Sequence, residues 1–392
     1  MSKSFFPPQR TLMGPGPSDV SPRVLAALSR PTIGHLDPEF IGLMDDIKGL
    51  LQAAFKTGNE LTLPVSAPGS AGMEAVFSNL LEAGDKVIVC QNGVFGGRMQ
   101  ENVERCGATA IMVQDDWGLP VDPDKLEQAL VSNPDAVAVA FVHAETSTGV
   151  RSDAQALCAL ARQFDCLAIV DAVTSLAGIE LCVDDWGIDA VYSGTQKCLS
   201  CVPGLSPVSF SERAITRIRN RRQRVQSWFL DMNLIMDYWG GDSKRSYHHT
   251  TPVNAMYALH ESLLMVQEEG LEAAWARHDH HHQAFVAGIE ALGLSLIVSP
   301  DARLPQLNAV EIPPGIDEAA VRRHLLQSWN LEIGAGLGSL ATKVWRIGLM
   351  GHAANQQNVL LCLSALGSTL QSMGAAVNPD AAMAAAHEFY SV

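Results

Sequence analysis

Lys197 and Asp171 are the two residues whose types and positions most suggest catalytic chemistry. Lys197 lies in a turn of small residues at 193–198, after an apolar run, and Asp171 directly follows the apolar run 167–170. A lysine desolvated beside a strand has a lowered pKa, which makes its amine a nucleophile. An aspartate at a matching strand end can hold a protonated pyridine nitrogen. The pair suggests a pyridoxal phosphate site with Lys197 as the Schiff-base lysine, although a surface lysine and a helix-capping aspartate explain the pair alone equally well.

A turn of small residues at 66–72 precedes helical sequence and suggests a phosphate-binding site. Backbone N–H groups at a helix N-terminus bind phosphate, and Gly69 and Gly72 allow a close approach. Taken alone, such a turn more often only caps its helix. Beside the lysine and aspartate pair, it becomes a candidate phosphate cup.

Two further segments follow apolar runs and carry side chains suited to a flat ring. Phe95 lies among glycines at 92–98, and an aromatic side chain there can stack on a cofactor ring. The segment 143–149 offers hydroxyl groups to a ring oxygen or a substrate. A core aromatic and a turn rich in Ser and Thr are the alternatives.

The elements that must position these residues form an alternating pattern of strands and helices. Continuous apolar runs are typical of strands buried on both faces of a parallel sheet. We predict strands at 87–90, 110–113, 136–142, 167–170, 190–192 and 207–210, with helices such as 122–131 and 153–164 between them. The pattern predicts an α/β fold whose ligands bind beyond the carboxyl ends of the strands, where Asp171, Thr146 and Lys197 converge.

The chain divides into three segments that differ in their sequence pattern. Residues 1–18 are predicted to be an extended N-terminal arm, residues 19–268 a large cofactor-binding domain, and residues 269–392 a small C-terminal α+β domain. Helices are expected at 252–293 and 317–329, and strands at 294–298, 308–312 and 344–348.

Composition excludes several classes of protein. The net charge of −15 argues against general nucleic-acid binding, which needs a basic surface. No stretch is long and apolar enough to predict a membrane span, and the N-terminus lacks the apolar segment of a secretory signal. The eight scattered cysteines are typical of reduced thiols, so we expect a cytoplasmic protein.

Seven motifs, taken in order, resemble the alanine–glyoxylate / serine–glyoxylate aminotransferase family, whose members are class V pyridoxal phosphate enzymes. They lie at 14–17, 69–72, 92–93, 143–149, 171–175, 193–197 and 247–250. The match runs in register from about residue 12 to the segment 346–348. The resemblance implies the fold-type I architecture and a homodimer with shared active sites.

The resemblance also implies roles around the cofactor ring. Lys197 would form the Schiff base and move a proton between the cofactor and the substrate, and Asp171 would bind the pyridine nitrogen. Phe95 would stack on one ring face, where many relatives carry Trp, and Val173 would pack on the other. Thr146 would contact the 3-oxygen region.

Further residues are implied for the phosphate and the substrate. Those assigned to the phosphate are Gly69, Ser70 and Gln196, with Tyr247 and Thr250 reaching it from the other subunit. Arg346 would bind the substrate carboxylate with its guanidinium fork. Pro68 departs from the family, which usually has a hydroxyl or small residue there, so one phosphate donor is missing.

The expected activity is the transfer of an amino group from alanine or serine to glyoxylate, giving glycine and a 2-oxo acid. Aspartate, ureidoglycine or pyridoxamine as donor, or pyruvate as acceptor, stay open alternatives. A pyridoxal phosphate lyase or desulfurase is a weaker alternative, since Cys198 and Cys201 are too close to Lys197 to lie on a mobile catalytic loop. A non-enzymatic scaffold protein is disfavoured because Lys197, Asp171 and Arg346 are all present.

Other charged segments suggest less. The basic run 217–224 is expected to be a solvated helix face or a lip over an anionic substrate. The histidines 278, 280, 281 and 282 are expected to be solvated on a surface helix, without a metal. His35, Arg222 and Arg224 are candidates for the substrate entrance.

Overall fold

The apolar runs of the sequence form strands in the computed structural model, which describes residues 3–240 and 245–391. Valine and isoleucine dominate several of these runs, and their branched side chains pack well on a pleated sheet. The strands are β1 (Thr11–Leu12), β2 (Leu61–Val65), β3 (Lys86–Gln91), β4 (Thr109–Gln114), β5 (Ala136–Val142), β6 (Ala144–Glu145), β7 (Val150–Arg151), β8 (Leu167–Asp171), β9 (Ala190–Tyr192), β10 (Ser206–Phe210), β11 (Leu307–Glu311), β12 (Leu331–Glu332), β13 (Gly334–Ala335) and β14 (Val344–Gly348).

A seven-stranded central sheet has the order β2–β10–β9–β8–β5–β3–β4. The pairs from β9 through β8, β5 and β3 to β4 are parallel, whereas β10 is antiparallel to both of its neighbours. The predicted α/β fold with a mainly parallel sheet is confirmed. β2 lies outside the predicted runs because Pro64 interrupts its apolar pattern.

The helices alternate with these strands, and several of them begin at polar caps. Asp122, Asp153 and Asp317 each accept a hydrogen bond from an N–H group in the first turn of the helix that follows. The helices are α1 (Pro22–Leu28), α2 (Pro38–Phe55), α3 (Gly69–Leu80), α4 (Val94–Arg105), α5 (Pro123–Ser132), α6 (Ala154–Gln163), α7 (Val183–Trp186), α8 (Glu212–Arg219), α9 (Met232–Trp239), α10 (Val253–Glu269), α11 (Leu271–Leu292), α12 (Glu318–Ser328), α13 (Gln356–Ser372) and α14 (Pro379–Ser391).

Two large hydrophobic cores hold these elements together. The first surrounds the central sheet and its helices, from Val24 to Leu263 with Leu307 and Met350. The second is built around the three-stranded sheet β11–β14–β13 and α11 to α14. The division at residue 268 stays a prediction, and it falls beside the end of α10.

The N-terminal arm joins the second core. β1 pairs in parallel with β12, and Met13 is fully buried among the residues of the second core. The carbonyl O of Met13 accepts a hydrogen bond from Gly348 N at 2.7 Å. The arm therefore crosses its own chain and ties the first residues to the last strand of the small sheet.

The strand predicted at 294–298 is wrong. Only an isolated bridge forms there, between Leu296 and Val310. A short 3₁₀ helix at Pro300–Ala302 turns the chain away, so the pairing does not extend.

The prediction of solvated histidines is wrong for His278 and His282, which are buried. Gly351 N donates to His278 Nε2 at 2.8 Å, and His282 Nδ1 lies 2.8 Å from Asn308 Oδ1. Burial lowers the pKa of both imidazoles to about 4. These side chains therefore join α11 to its neighbours.

The prediction of a solvated basic run is wrong for Arg217 and Arg221. Arg217 Nε donates to Leu80 O at 2.5 Å, and Arg221 Nη1 donates to Asn79 O and Leu81 O at 2.9 and 2.6 Å. Cations at these carbonyls oppose the partial negative charge of a helix C-terminus. The two guanidinium groups therefore clamp the far end of α3, while α8 itself ends at Arg219.

No helix within the described ranges has the length and apolar character needed to cross a membrane.

Candidate active site

A cavity of about 230 Å³ lies at the carboxyl edge of the central sheet. β8 brings Asp171 to the cavity, the turn after β9 brings Lys197, and the turn after β6 brings Thr146. Ligand sites of parallel sheets lie at this edge, so the topology itself gathers these residues. The predicted site residues that line the cavity are Gly69, Ser70, Phe95, Thr146, Asp171, Val173, Gln196 and Lys197.

Lys197 is held by the N-terminal arm. Its Nζ donates a hydrogen bond to Pro15 O, and its own carbonyl O accepts one from Ser18 Oγ at 2.8 Å. Gly16 has a φ of +106°, and a Cβ there would overlap the Lys197 side chain. Burial and the positive charge of Arg346 lower the pKa of Lys197 to about 8. A fraction of the amine is therefore neutral near neutral pH, as a nucleophile or base requires.

Asp171 is the last residue of β8 and is only 4% exposed. Its Oδ1 accepts a hydrogen bond from Val173 N at 2.9 Å. Burial raises its pKa to about 6, against the opposing effects of that hydrogen bond and of the positive charge on Lys197. A buried carboxylate in this position favours a cationic partner in the cavity.

The amino-terminal end of α3 opens into the cavity and is a candidate anion-binding turn. The first N–H groups of a helix have no carbonyl partner within it, and they favour an anion such as a phosphate. A Cβ at Gly69 would come within 3.3 Å of Ser193 O and Val173 Cγ2, so glycine fits best. Gln196 Oε1 is buried at the same cavity and has no hydrogen-bond partner among the described residues. An unpartnered amide oxygen calls for a hydrogen-bond donor, so only the NH₂ group of Gln196 could face an anion.

Phe95 lies in the first turn of α4. Its ring lines the cavity and packs against the first hydrophobic core. The helix begins after Gly93, which offers no side-chain cap. The position of the aromatic ring therefore depends on what else binds the first N–H groups of α4.

Glu145 and Ser147 supply that cap from another part of the chain. Phe95 N donates to Glu145 Oε2 at 3.1 Å, and Val94 N donates to Ser147 Oγ at 3.0 Å. Ser147 in turn donates its N–H and its hydroxyl to Glu145 Oε1, at 2.9 and 2.6 Å. A Cβ at Gly93 would overlap the Glu145 side chain. The carboxylate thus takes the place of a local cap and fixes Phe95 relative to the Thr146 turn.

Arg346, on β14, is buried beside the cavity and anchored by backbone carbonyls. Its Nε donates to Ala335 O at 2.7 Å and its Nη1 to Thr146 O at 3.2 Å. Burial lowers its pKa to about 10, so the guanidinium stays charged at neutral pH. Donors remain free for an anionic ligand, because a guanidinium carries five N–H groups.

Tyr247 and Thr250 lie outside the lining of this cavity, and both are exposed. The Tyr247 ring packs 5.4 Å from the ring of His35, centroid to centroid. Their assignment to the phosphate of a second subunit stays a prediction. His35, Arg222 and Arg224 also lie outside the lining.

Glu145 and Arg98 are the site residues that the motifs did not identify as functional. Glu145 carries a signal in the sequence, since it is an acidic residue three positions after the last residue of the apolar run 136–142. Arg98 lines the cavity, and its guanidinium lies 4.9 Å from the Phe95 ring centroid. Its spacing of three residues from Phe95 places both side chains on one face of a helix.

The chain is similar to proteins of one known family. The family model described as aminotransferase class-V matches residues 21–360. The crystal structure of a ureidoglycine–glyoxylate aminotransferase from Bacillus subtilis superposes with a TM-score of 0.97 at 39% identity, covering 100% of both chains. An alanine–glyoxylate aminotransferase from Nostoc sp. gives a TM-score of 0.92 at 44% identity, over 94% of this chain and 97% of that one. Alanine–glyoxylate aminotransferase of Oryctolagus cuniculus is 40% identical over 95% of each chain.

The titration of Glu145 gives a test of its burial. Burial raises its pKa from 4.5 to about 7, so the unfolded chain releases this proton at lower pH than the folded chain does. The free energy of unfolding of the cofactor-free protein should therefore fall as pH rises from about 4.5 to 7, by up to about 3 kcal/mol from this group. Glu145→Gln should remove that part of the pH dependence in urea unfolding.

Glu101→Gln is the matched control, since Glu101 lies on α4, the helix that Glu145 caps, in an exposed pair with Arg105. Its unfolding should keep the pH dependence of the wild type. A Glu145→Gln variant with the wild-type pH dependence would contradict the shifted titration.

Proposed function

Because the chain belongs to the class-V aminotransferases, we propose that it is a pyridoxal phosphate enzyme that transfers an amino group from alanine or serine to glyoxylate. The observation that carries the proposal is the convergence of Lys197, Asp171 and an anion-binding helix end on one cavity that Arg346 borders. The products would be glycine and a 2-oxo acid.

The residues of the cavity fit the proposed cofactor. The α3 turn with Gly69, Ser70 and Gln196 would hold the phosphate, and Asp171 would pair with the pyridine nitrogen. When bound, pyridoxal phosphate supplies an aldehyde that takes up the amino group and a ring that withdraws electrons. Phe95 and Val173 would cover the ring faces and exclude water, and Thr146 would contact the 3-oxygen region.

Two cationic side chains would divide the work on the substrate. Lys197 Nζ, with its lowered pKa, would accept and return the proton at the substrate carbon, and a base near the working pH is efficient at this. Arg346 would orient the substrate carboxylate through a bidentate pair while its remaining donors stay bound to Ala335 O and Thr146 O. Both half-reactions present a carboxylate, so one arginine serves both.

Glyoxylate is the proposed acceptor because the names of the compared relatives share it. The desulfurase alternative is not favoured, since Cys198 and Cys201 are buried and burial raises the pKa of each thiol to about 12.

We further propose a homodimer in which Tyr247 and Thr250 reach the phosphate of the second subunit. Both side chains are exposed and away from the cavity of their own chain, which leaves them available to another copy. The cytoplasm is the proposed location, because all eight cysteines are free thiols.

A matrix of donors against acceptors tests the substrate assignment. With purified enzyme, glyoxylate should give a kcat/KM at least about tenfold above that of pyruvate, since one extra methyl group is worth about that much in a close-fitting pocket. Alanine, serine, aspartate and (S)-ureidoglycine are the donors to compare. Faster turnover with pyruvate would overturn the acceptor, and faster turnover with aspartate or (S)-ureidoglycine would overturn the donor.

Lys197 is tested by covalent trapping. Borohydride reduction of the wild type should fix the cofactor to Lys197, as measured by peptide mass. Lys197→Ala should still bind the cofactor but lose roughly 10²- to 10⁴-fold in turnover, the usual contribution of a positioned base. Lys125→Ala, whose half-exposed ammonium group pairs with Asp115 outside the cavity, is the control. Normal transamination by Lys197→Ala would remove this residue from the mechanism.

Arg346→Ala should lower kcat/KM for carboxylate substrates by about 10²- to 10³-fold, because two charge-assisted hydrogen bonds are lost. Arg346→Lys should recover only part of the loss, since an ammonium cannot form the bidentate pair. Steady-state kinetics on both variants measure this, with Arg322→Ala as the control at a pair outside the cavity. An unchanged kcat/KM in Arg346→Ala would exclude Arg346 from substrate binding.

A further inference from the structure

Arg98 lies at the mouth of the cavity between the anion-binding turn and the aromatic ring. Its Nη1 donates a hydrogen bond to Ser70 Oγ at 3.2 Å. Its guanidinium carbon lies 4.9 Å from the centroid of the Phe95 ring. Both neighbours line the cavity with it, so the cation faces the same space as the amino-terminal end of α3.

The anion-binding turn lacks one donor, and Arg98 is adjacent to the gap. Pro68 is the N-cap of α3 and has neither an N–H group nor a hydroxyl group. The turn is therefore left with the backbone N–H groups and the Ser70 hydroxyl, and it is the Ser70 hydroxyl that Arg98 contacts.

The Arg98 side chain is exposed at the mouth of the cavity and is not held in an ion pair there. No carboxylate of residues 3–240 or 245–391 lies within 4.0 Å of its guanidinium nitrogens. The amino-terminal end of a helix carries a partial positive charge, so a cation beside it is repelled. An anion bound between Arg98 and the amino-terminal end of α3 would be attracted by both, and it would remove the repulsion between them.

We propose that Arg98 is a further phosphate-binding residue, which supplies the donor that Pro68 cannot. This inference rests on the proposed function, because the anion is the phosphate of the proposed cofactor. A guanidinium suits this role, since its planar N–H groups match two phosphate oxygens at once. Arg98 is thus a compensating residue, and its importance should depend on what stands at position 68.

Its contact with Phe95 offers a competing explanation, in which Arg98 only fixes the aromatic ring. The two explanations differ in their response to pyridoxal, which has the ring but no phosphate. A phosphate ligand affects only the phosphorylated form, whereas a residue that positions Phe95 affects both forms equally.

The experiment measures the Kd of the full-length protein, stripped of cofactor, for pyridoxal phosphate and for pyridoxal. Arg98→Gln should weaken pyridoxal phosphate by about 10- to 100-fold, the usual range for a lost charge-assisted hydrogen bond. The Kd for pyridoxal should stay within about twofold. Arg105→Gln, on the same helix in an exposed pair with Glu101, is the matched control and should change neither value.

Restoring a hydroxyl at position 68 tests the compensation directly. Pro68→Ser should reduce the loss caused by Arg98→Gln, so the two changes should not be additive in the Kd for pyridoxal phosphate. If the effects of the two changes on this Kd simply add, the compensation is overturned. Equal losses for pyridoxal and pyridoxal phosphate, or no loss at all, would overturn the phosphate role of Arg98.

Inorganic phosphate separates this inference from the proposed function. Phosphate should raise the Tm of the cofactor-free wild type and have a smaller effect on Arg98→Gln. If the wild type binds no pyridoxal phosphate while this difference persists, the proposed function fails and the anion site at Arg98 stands. If phosphate protects both proteins equally, the role of Arg98 fails whatever the cofactor result.

Discussion

The cavity depends on how its charges are held after they leave water. Lys197, Asp171 and Arg346 are each largely buried, and burial of an ion is costly unless hydrogen bonds replace its hydration. Here the replacements are backbone groups, namely the carbonyls of Pro15, Ala335 and Thr146 and the N–H of Val173. A carbonyl satisfies a cation without neutralising it. The three side chains are therefore available to bind a ligand. Ion pairs among the three would have left them less available.

Much of the central sheet follows from local properties of the sequence. Apolar runs such as Ala136–Val142 form strands where periodicity predicts them, and a parallel sheet then brings Asp171 and Thr146 to one edge. Eight of the predicted site residues meet at one cavity for this reason. Short segments of the sequence show the chemical type of each residue, and the topology of the sheet brings the residues together.

What the sequence does not reveal depends on contacts between distant segments. The cap of α4 comes from Glu145, 50 residues beyond Phe95, and the carbonyl that holds Lys197 comes from Pro15, 182 residues before it. His278 and His282 follow the same rule, because their burial is decided by the partners Gly351 and Asn308. A local pattern describes polarity, and polarity alone does not say which polar side chains a neighbouring element will cover.

Helix α3 has one end at the cavity and the other under the clamp of Arg217 and Arg221, about 18 Å away at the usual rise of a helix. Asn79 strengthens that clamp, since its buried side chain donates to Leu230 O and accepts from Met232 N. The position of the amino-terminal end of α3 thus depends on residues at the other end of the helix, which lie away from the cavity. Natural variants at these remote positions should therefore impair ligand binding, as variants in the cavity do. A screen restricted to residues that contact the ligand would class them as harmless.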